Sequence, residues 1–332
     1  MLKILNPRYF LYIMTKILIT GATGFVGSAL FENLKSKKNY LFHLSVRTNQ
    51  EKIFERGKTF NIGEIDANTN WNNALDGVDC IVHCAARTHM TDKKQIDSLN
   101  AYRRVNVDAT RHLAKQAVAI GIKRFIFLSS IKVNGEGTIA TKSFKYNDIS
   151  QPEDAYGISK WEAEQALLEI SKQTGLEVVI IRSPLVYGER VKGNFLRLLN
   201  LVYKQMPLPF AKINNLRSFI GLDNLIDLII CCIDHPKAGG KTFLVSDGED
   251  LSTPDLIIKL SKLMDKSPRL FQFPQLIIQL IGRLVGKSLE VKRLLGSLRA
   301  DNSYTREILG WSPVLSLDES LKKTVRWYLK NR

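Results

Sequence analysis

Hydrophobic residues in the first half of the chain fall into short continuous runs, separated by stretches of helical periodicity. Lys16–Thr20, Tyr40–Val46, Cys80–Cys84, Arg124–Ser129 and Glu177–Arg182 are strand-length runs rich in apolar and β-branched residues. Between them, Phe25–Lys35, Ala101–Ile120 and Tyr156–Gln173 carry apolar residues at helical spacing. The last two stop at Gly121 and Gly175, a residue suited to a helix C-terminus. Strands that are apolar throughout belong to sheets covered on both faces. Their alternation with helices predicts an α/β fold built on a doubly wound parallel sheet, which binds ligands at the carboxyl ends of its strands.

Beyond residue 183 the alternation weakens. Helices are expected at Asn194–Gln205, Leu222–Asp234, Thr253–Met264 and Asp318–Lys330, with a short strand at Thr242–Val245. The expected organisation is a main domain over 14–183. A smaller C-terminal α+β substrate domain over 184–332 returns a strand or two to the main sheet. Residues 1–13 precede a second methionine, Met14. Their apolar stretch is brief and lacks a small-residue cleavage site, so they read as a disordered leader or a misassigned start rather than a secretory signal.

Composition narrows the class. The 332 residues are 45% hydrophobic, ordinary for a soluble globular chain. No apolar run reaches the roughly 18–20 residues of a membrane-spanning helix. Cys80, Cys84, Cys231 and Cys232 lack the spacing of a zinc site and read as reduced thiols of a cytoplasmic protein. No metal ligand set is expected. The net charge of +16 admits nucleic acid, an anionic membrane or a phosphorylated substrate. The absence of aromatic RNA motifs and zinc-finger spacing argues against nucleic acid.

The sequence Lys16-Ile-Leu-Ile-Thr-Gly21-Ala-Thr-Gly24-Phe-Val-Gly27 is strand, glycine turn and helix start. Gly21 permits a tight turn, Gly24 lets the backbone approach a pyrophosphate, and Gly27 lets the helix pack on the strand. The helix N-terminus that follows offers N–H groups and a positive dipole end to phosphates. The Rossmann fold and an NAD(H) or NADP(H) cofactor follow from that context. At the end of the second strand, where an NAD site usually has an acidic residue, the chain has Leu44-Ser-Val-Arg47. Arg47 suits a 2′-phosphate and tilts the reading toward NADP(H).

Tyr156-Gly-Ile-Ser-Lys160 places a phenol and an ammonium one helical turn apart. A phenol needs its pKa lowered to work as acid or base near neutrality, and a neighbouring ammonium does that. Ser129 and Ser130 end the preceding strand at the ligand-bearing edge, so that one hydroxyl can polarise a substrate oxygen.

With these stations in place, the chain resembles the extended short-chain dehydrogenase/reductases, in particular their nucleotide-sugar epimerase/4-ketoreductase branch. The resemblance is carried by Thr20–Gly27, Val82–Ala86, Val105–Thr110, Leu128–Gly135 and Tyr156–Lys160. Ile181–Gly188, Arg217–Leu225 and Leu309–Pro313 extend it over nearly the whole chain. It implies that Ser130, Tyr156 and Lys160 form the catalytic set, with Tyr156 as acid/base and Lys160 on the nicotinamide ribose. It further implies cofactor contacts from Thr23, Phe25, Val26, Glu64, Ile65, Ala85, Ala86, Asn106, Ser129, Ser183 and Pro184. Asn194 and Arg217 match positions that hold a substrate's diphosphate, and a homodimer through the helices near 101–120 and 156–173 is expected. The family often reads Val-Tyr-Gly after the serine strand, whereas this chain has Val133-Asn134-Gly135. That feature, with the missing acidic residue, resembles a bacterial surface-polysaccharide subgroup acting on UDP-N-acetylhexosamine derivatives, whose members include both 4-ketoreductases and UDP-glucose 4-epimerases.

On the substrate side, Arg217 and Arg299 are candidates for a UDP-sugar diphosphate, and Arg87 and His89 for the sugar. Leu276–Leu298 mixes apolar residues with Arg283, Lys287, Lys292 and Arg293. It fits either an amphipathic helix in weak contact with an anionic membrane or, as favoured, a helix packed on the substrate domain with solvated basic residues. The residues leave three functions open: C4 oxidoreduction of a UDP-sugar by 4-epimerase or 4-ketoreductase, epimerisation of a polyprenyl-linked sugar, and a non-catalytic dinucleotide-binding regulator.

Overall fold

The computed structural model describes residues 14–47, 53–54, 56–88, 95–139, 141–286 and 288–332. The segment 1–13, His89 and Lys287 lie outside the described residues.

The main sheet is built from β1 (Thr15–Thr20), β2 (Tyr40–Val46), β3 (Ile53–Phe54), β4 (Gly57–Asn61), β5 (Cys80–His83), β6 (Arg124–Ser130) and β7 (Glu177–Ser183), together with β10 (Lys241–Leu244) from the second half. Its strand order is β10-β7-β6-β5-β1-β2-β4-β3, parallel throughout except for the short β3–β4 pair. The order reverses between β1 and β5, which pair in register from Ile17↔Cys80 to Thr20↔His83. The crevice of such a sheet opens at this reversal, beyond the strand carboxyl ends.

The apolar strands behave as their composition dictates. Ile17, Leu18 and Ile19 of β1 and Val178 to Ile181 of β7 have no exposed surface, because helices cover both sheet faces. On one face lie α1 (Phe25–Leu34) and α7 (Leu222–Asp234), sharing a core with Ile17, Ile19, Val179 and Ile181. On the other, α2 (Asn72–Leu75), α4 (Ala109–Ala119) and α5 (Ala155–Thr174) close over Leu18, Ile81, Phe125 and Phe127.

The helix expected at Ala101–Ile120 is longer and irregular. α3 (Gln95–Arg103) runs into a widened π turn at Arg104–Asp108 before α4 continues. The remaining elements, β8 (Leu185–Tyr187), β9 (Arg217–Gly221), β11 (Asp250–Leu251), α6 (Gly193–Tyr203), α8 (Thr253–Leu263) and α12 (Leu317–Lys330), gather a separate core around Tyr187, Phe195, Phe219 and Leu260. α11 (Ser303–Leu309) sends Ile308 and Leu309 back to the first core.

Leu276–Leu298 is not one packed helix. It forms α9 (Gln275–Leu284) and α10 (Ser288–Leu295), with Gly286 at φ 69° between them. α9 buries only Ile278 and Gly282, so the expectation that it packs its apolar side on the body is corrected. No helix of the described residues is long and apolar enough to cross a membrane. All four cysteines are free thiols; Cys80 and Cys232 are buried, Cys84 and Cys231 half-buried.

Candidate active site

The glycine turn follows β1 directly. Gly21 sits at φ 66°, and a Cβ there would stand 2.8 Å from the Ala85 nitrogen, so a side chain is excluded on both grounds. A Cβ on Gly27 would come within 2.3 Å of the Gly21 carbonyl oxygen, which shows how closely α1 packs against the turn. α1 has no side-chain cap at Gly24, leaving its first-turn N–H groups to a ligand.

Beside this turn lies a cavity of about 250 Å³. Of the expected cofactor residues, Gly21, Thr23, Gly24, Arg47, Glu64, Ile65, Ala85 and Ala86 line it, with Arg87 at the same rim. Phe25 and Val26 open α1 and pack into the core under the turn. Ser45, Val46, Ile62, Cys84, Arg104 and Val105 also line the cavity, although none of them was among the expected cofactor contacts. Arg47 is exposed just past the end of β2, and β2 itself contains no acidic residue. Arg104 pairs with Glu64 at 3.0 Å across the lip.

Buried polar groups fix the walls. His83 lies 2.8 Å from Thr20 Oγ1 and 3.0 Å from Thr110 Oγ1, tying β1, β5 and α4 together. Burial, and then the Lys160 charge, push the His83 imidazole down to about 3, so it is a neutral strut. Asn106 sits in the π turn and is buried. Its Oδ1 accepts from Arg87 N at 2.8 Å, and its Nδ2 donates to Arg87 O at 3.1 Å and to Ser159 Oγ at 2.9 Å. Asn106 therefore clamps the segment after β5 to α5, an indirect contribution to the cofactor wall.

α5 starts at Asp154, whose side chain accepts from Gly157 N at 2.6 Å, and it ends at Gly175 in the left-handed conformation. Tyr156 is half-buried, with its ring 6.0 Å from that of Tyr102 in an edge contact. Lys160 is almost fully buried, with its ammonium 4.0 Å from the Phe127 ring centroid. Burial pushes Lys160 down to about 7, opposed by Glu164 and Cys84. The Tyr156 phenol lies above its ordinary value because of burial, then Asp154, then Tyr102. The expectation that Lys160 lowers the phenol's pKa is thus corrected for the protein alone. Desolvation is the largest cause of both shifts, and neither group is among the charges that move the other.

Ser130 ends β6, and its Oγ accepts from Lys132 N at 3.3 Å. Ser129 turns the other way, donating its hydroxyl to Glu164 beneath the site. Ser183 donates to Ser129 O at 3.4 Å, and Pro184 is buried beside it.

Sequence reasoning did not assemble the charged cluster around the start of α5. Lys132, at 5.9 Å from the Tyr156 ring centroid, pairs with Asp154 and lies 3.4 Å from Glu136. Arg293 of α10 reaches the same two carboxylates, at 2.8 Å from Glu136 and 2.6 Å from Asp154. Burial alone would raise Asp154, but Lys132 and Arg293 hold it below the usual carboxylate range. An acidic N-cap two residues before Tyr156 is the one local hint the sequence offers.

On the substrate side, β9 brings Arg217 next to Leu298 and Leu251, the neighbours of Arg299 and Asp250. Arg217 Nη1 donates to Arg293 O at 2.6 Å and Gly296 O at 3.0 Å. Arg299 Nε pairs with Asp250 at 2.6 Å. Asn194 is exposed in the first turn of α6.

A parallel sheet with a glycine turn at its order reversal, and a lined cavity beside that turn, defines a dinucleotide-binding α/β protein. The residues present fit a dinucleotide, since the left-handed Gly21 and the uncapped α1 start form the cradle a pyrophosphate needs. The chain belongs to the NAD dependent epimerase/dehydratase family, whose model matches residues 17–246, and its cofactor is accordingly a nicotinamide dinucleotide. It is 47% identical over 315 residues to a UDP-glucose 4-epimerase of Vibrio cholerae, covering 95% of each chain. It is 26% identical to an N-acetyl-alpha-D-glucosaminyl-diphospho-ditrans,octacis-undecaprenol 4-epimerase of Escherichia coli O157:H7, covering 94% of each. Its fold is that of the UDP-glucuronic acid 4-epimerase from Bacillus cereus solved with NAD, at a TM-score of 0.78 and 22% identity over 96% of this chain and 97% of that one.

Proposed function

We propose that this chain is a nucleotide-sugar 4-epimerase that inverts C4 of a UDP-hexose or UDP-N-acetylhexosamine for surface-polysaccharide synthesis. The observation that carries this reading is the 47% identity, over 95% of both chains, with the Vibrio cholerae UDP-glucose 4-epimerase. The placement of Tyr156 and Lys160 supports it.

A bound nicotinamide dinucleotide supplies hydride acceptance and return, and in its oxidised form a positive charge that opposes the effect of Asp154 on the phenol. This chain's own residues handle the proton. Tyr156 takes the C4 hydroxyl proton and later restores it. Lys160, when protonated, holds ribose hydroxyls. Ser130 donates its hydroxyl to the C4 oxygen as that oxygen becomes a carbonyl. Arg217, Arg299 and Asn194 hold the diphosphate, and Arg87 the sugar. A homodimer through α4 and α5 goes with this reading; the groove beside them is lined mainly by Arg103, Asp108, Arg111, Trp161, Glu162 and Gln165.

One observation favours a second reading, a 4-ketoreductase. Arg47 at the cavity lip, following a β2 strand that contains no acidic residue, suits the 2′-phosphate of NADP(H). One experiment separates the two: incubation with UDP-glucose, UDP-N-acetylglucosamine and a UDP-4-keto-6-deoxy-N-acetylhexosamine, each with NAD(H) or NADP(H). Epimerisation yields the C4 epimer with no net cofactor turnover. Reduction consumes NADPH or NADH only with the 4-keto sugar. Failure to convert any of the three at C4 overturns both readings.

A further inference from the structure

α9 presents more apolar surface than its contact with the body covers. Helical positions advance by about 100° per residue, so Leu276, Ile277, Leu280, Ile281 and Leu284 share about 140° of its circumference. Leu276 and Leu284 are each 78% exposed, Leu280 55% and Ile281 49%, whereas the buried residues Ile278 and Gly282 lie on the side toward the body. Contiguous exposed apolar faces of this kind mark interaction sites. The face extends sideways: Gln275 Nε2 donates to Lys212 O at 3.1 Å, and Ala211 N donates to Phe271 O at 3.2 Å. The exposed side chains of Met206 and Phe271 therefore belong to the segments flanking the start of α9.

Charge around this face is predominantly positive. Lys266, Arg269 and Arg283 lie between Asp265 and Glu290 with no acidic residue among them, and residues 204–216 contain Lys204 and Lys212 and no acidic residue. The middle of the face is aliphatic, without hydrogen-bonding side chains to fix a register against a protein surface. A helix of 10 residues is too short to span a bilayer and lies in its plane instead.

The geometry points to α9 as a docking helix for an anionic phospholipid surface, its leucine and isoleucine face in the acyl boundary and the surrounding cations on the headgroups. α10 joins this helix to the reaction site. Lys292 bonds Glu153 at 2.8 Å and Arg293 bonds Asp154 at 2.6 Å, at the start of the helix that carries Tyr156. A chain seated on lipid through α9 thus has its Tyr156 segment tied to the docked element. This inference is independent of which sugar is turned over.

The test is co-sedimentation of the full-length protein with phosphatidylethanolamine–phosphatidylglycerol vesicles and with phosphatidylcholine vesicles, using the parent and a Leu280→Gln/Leu284→Gln variant. The parent is expected to pellet with the anionic vesicles and to be released by salt. The variant should bind about tenfold more weakly, with its melting temperature and dinucleotide binding unchanged. Three results overturn the proposal: no vesicle binding by the parent, equal binding to both lipid compositions, or a parent oligomer that the variant dissociates, which would assign the face to a second copy of the chain.

Discussion

Glu164 is the buried group on which the floor of the site rests. It has no exposed surface, and its carboxylate receives Arg182 Nη2 at 2.7 Å and Arg182 Nε at 3.1 and 3.2 Å. The same carboxylate accepts the Ser129 hydroxyl and supports the positive charge of Lys160. Replacing it with glutamine keeps the shape but leaves the Arg182 guanidinium with neutral acceptors, Asn134 Oδ1 at 3.1 Å and Ser150 Oγ at 3.4 Å. Removing one partner of a buried ion pair costs about 3–5 kcal/mol. For a chain of this size, at about 2 °C per kcal/mol, Glu164→Gln should lower the melting temperature by about 6–10 °C. Circular dichroism of the cofactor-free protein reads this directly. A Glu164→Leu/Arg182→Met variant should recover most of the loss, because no charge is then left unpaired. A Glu164→Gln protein melting within about 1 °C of the parent would refute the reasoning.

Three further outcomes follow from the site. Tyr156→Phe should lower kcat by about 10²–10⁴-fold while dinucleotide affinity, read by calorimetry, stays put; retained turnover would remove the phenol from proton transfer. Gly27→Ala drives a Cβ to within 2.3 Å of Gly21 O, so the turn must shift; dinucleotide affinity should fall by about tenfold or more with a stability loss of about 1–3 kcal/mol, and unchanged affinity would contradict the cradle. Lys160, lowered to about 7, is mostly neutral at pH 8 in the free protein and protonated at pH 6. Ribose hydroxyls stabilise the ammonium, so dinucleotide binding should take up close to about one proton at pH 8 and none at pH 6. Calorimetry in buffers of different ionisation enthalpy measures this uptake, and its persistence in Lys160→Met would assign it to another group.

The parallel strands were legible because both faces of the sheet are covered. Val178, Val179, Ile180 and Ile181 must then all be apolar, and a continuous run shows that directly. β4 was missed for the converse reason: Gly57–Asn61 lies near the sheet edge and buries only Phe60, so its composition is mixed. The π turn that seats Asn106 is a shift in backbone hydrogen bonding, to which apolar spacing is blind. The apolar character of α9 was plain, but periodicity states which residues share a side, not whether anything covers them. The spacing of Tyr156 and Lys160 placed both groups on one helix. It carried no information about desolvation, which sets the direction of both pKa shifts.

The departure at Val133-Asn134-Gly135 has a physical role in this network. Asn134 is buried; its Oδ1 accepts from Arg182 Nη1 at 3.1 Å and its Nδ2 donates to Lys145 O at 3.1 Å. A tyrosine there would need room for a ring where the carboxamide now bridges Arg182 to the 145 segment. It would also remove an acceptor from a guanidinium whose side chain is only 7% exposed. The next group along is Glu164, and the one after that is Lys160. Residue 134 is therefore electrostatically linked to the lysine of the proposed proton-handling pair, although it touches neither the cavity nor Tyr156. Variation at this position should act on the charge state of Lys160 through Arg182 and Glu164, and so on the pH at which the dinucleotide binds.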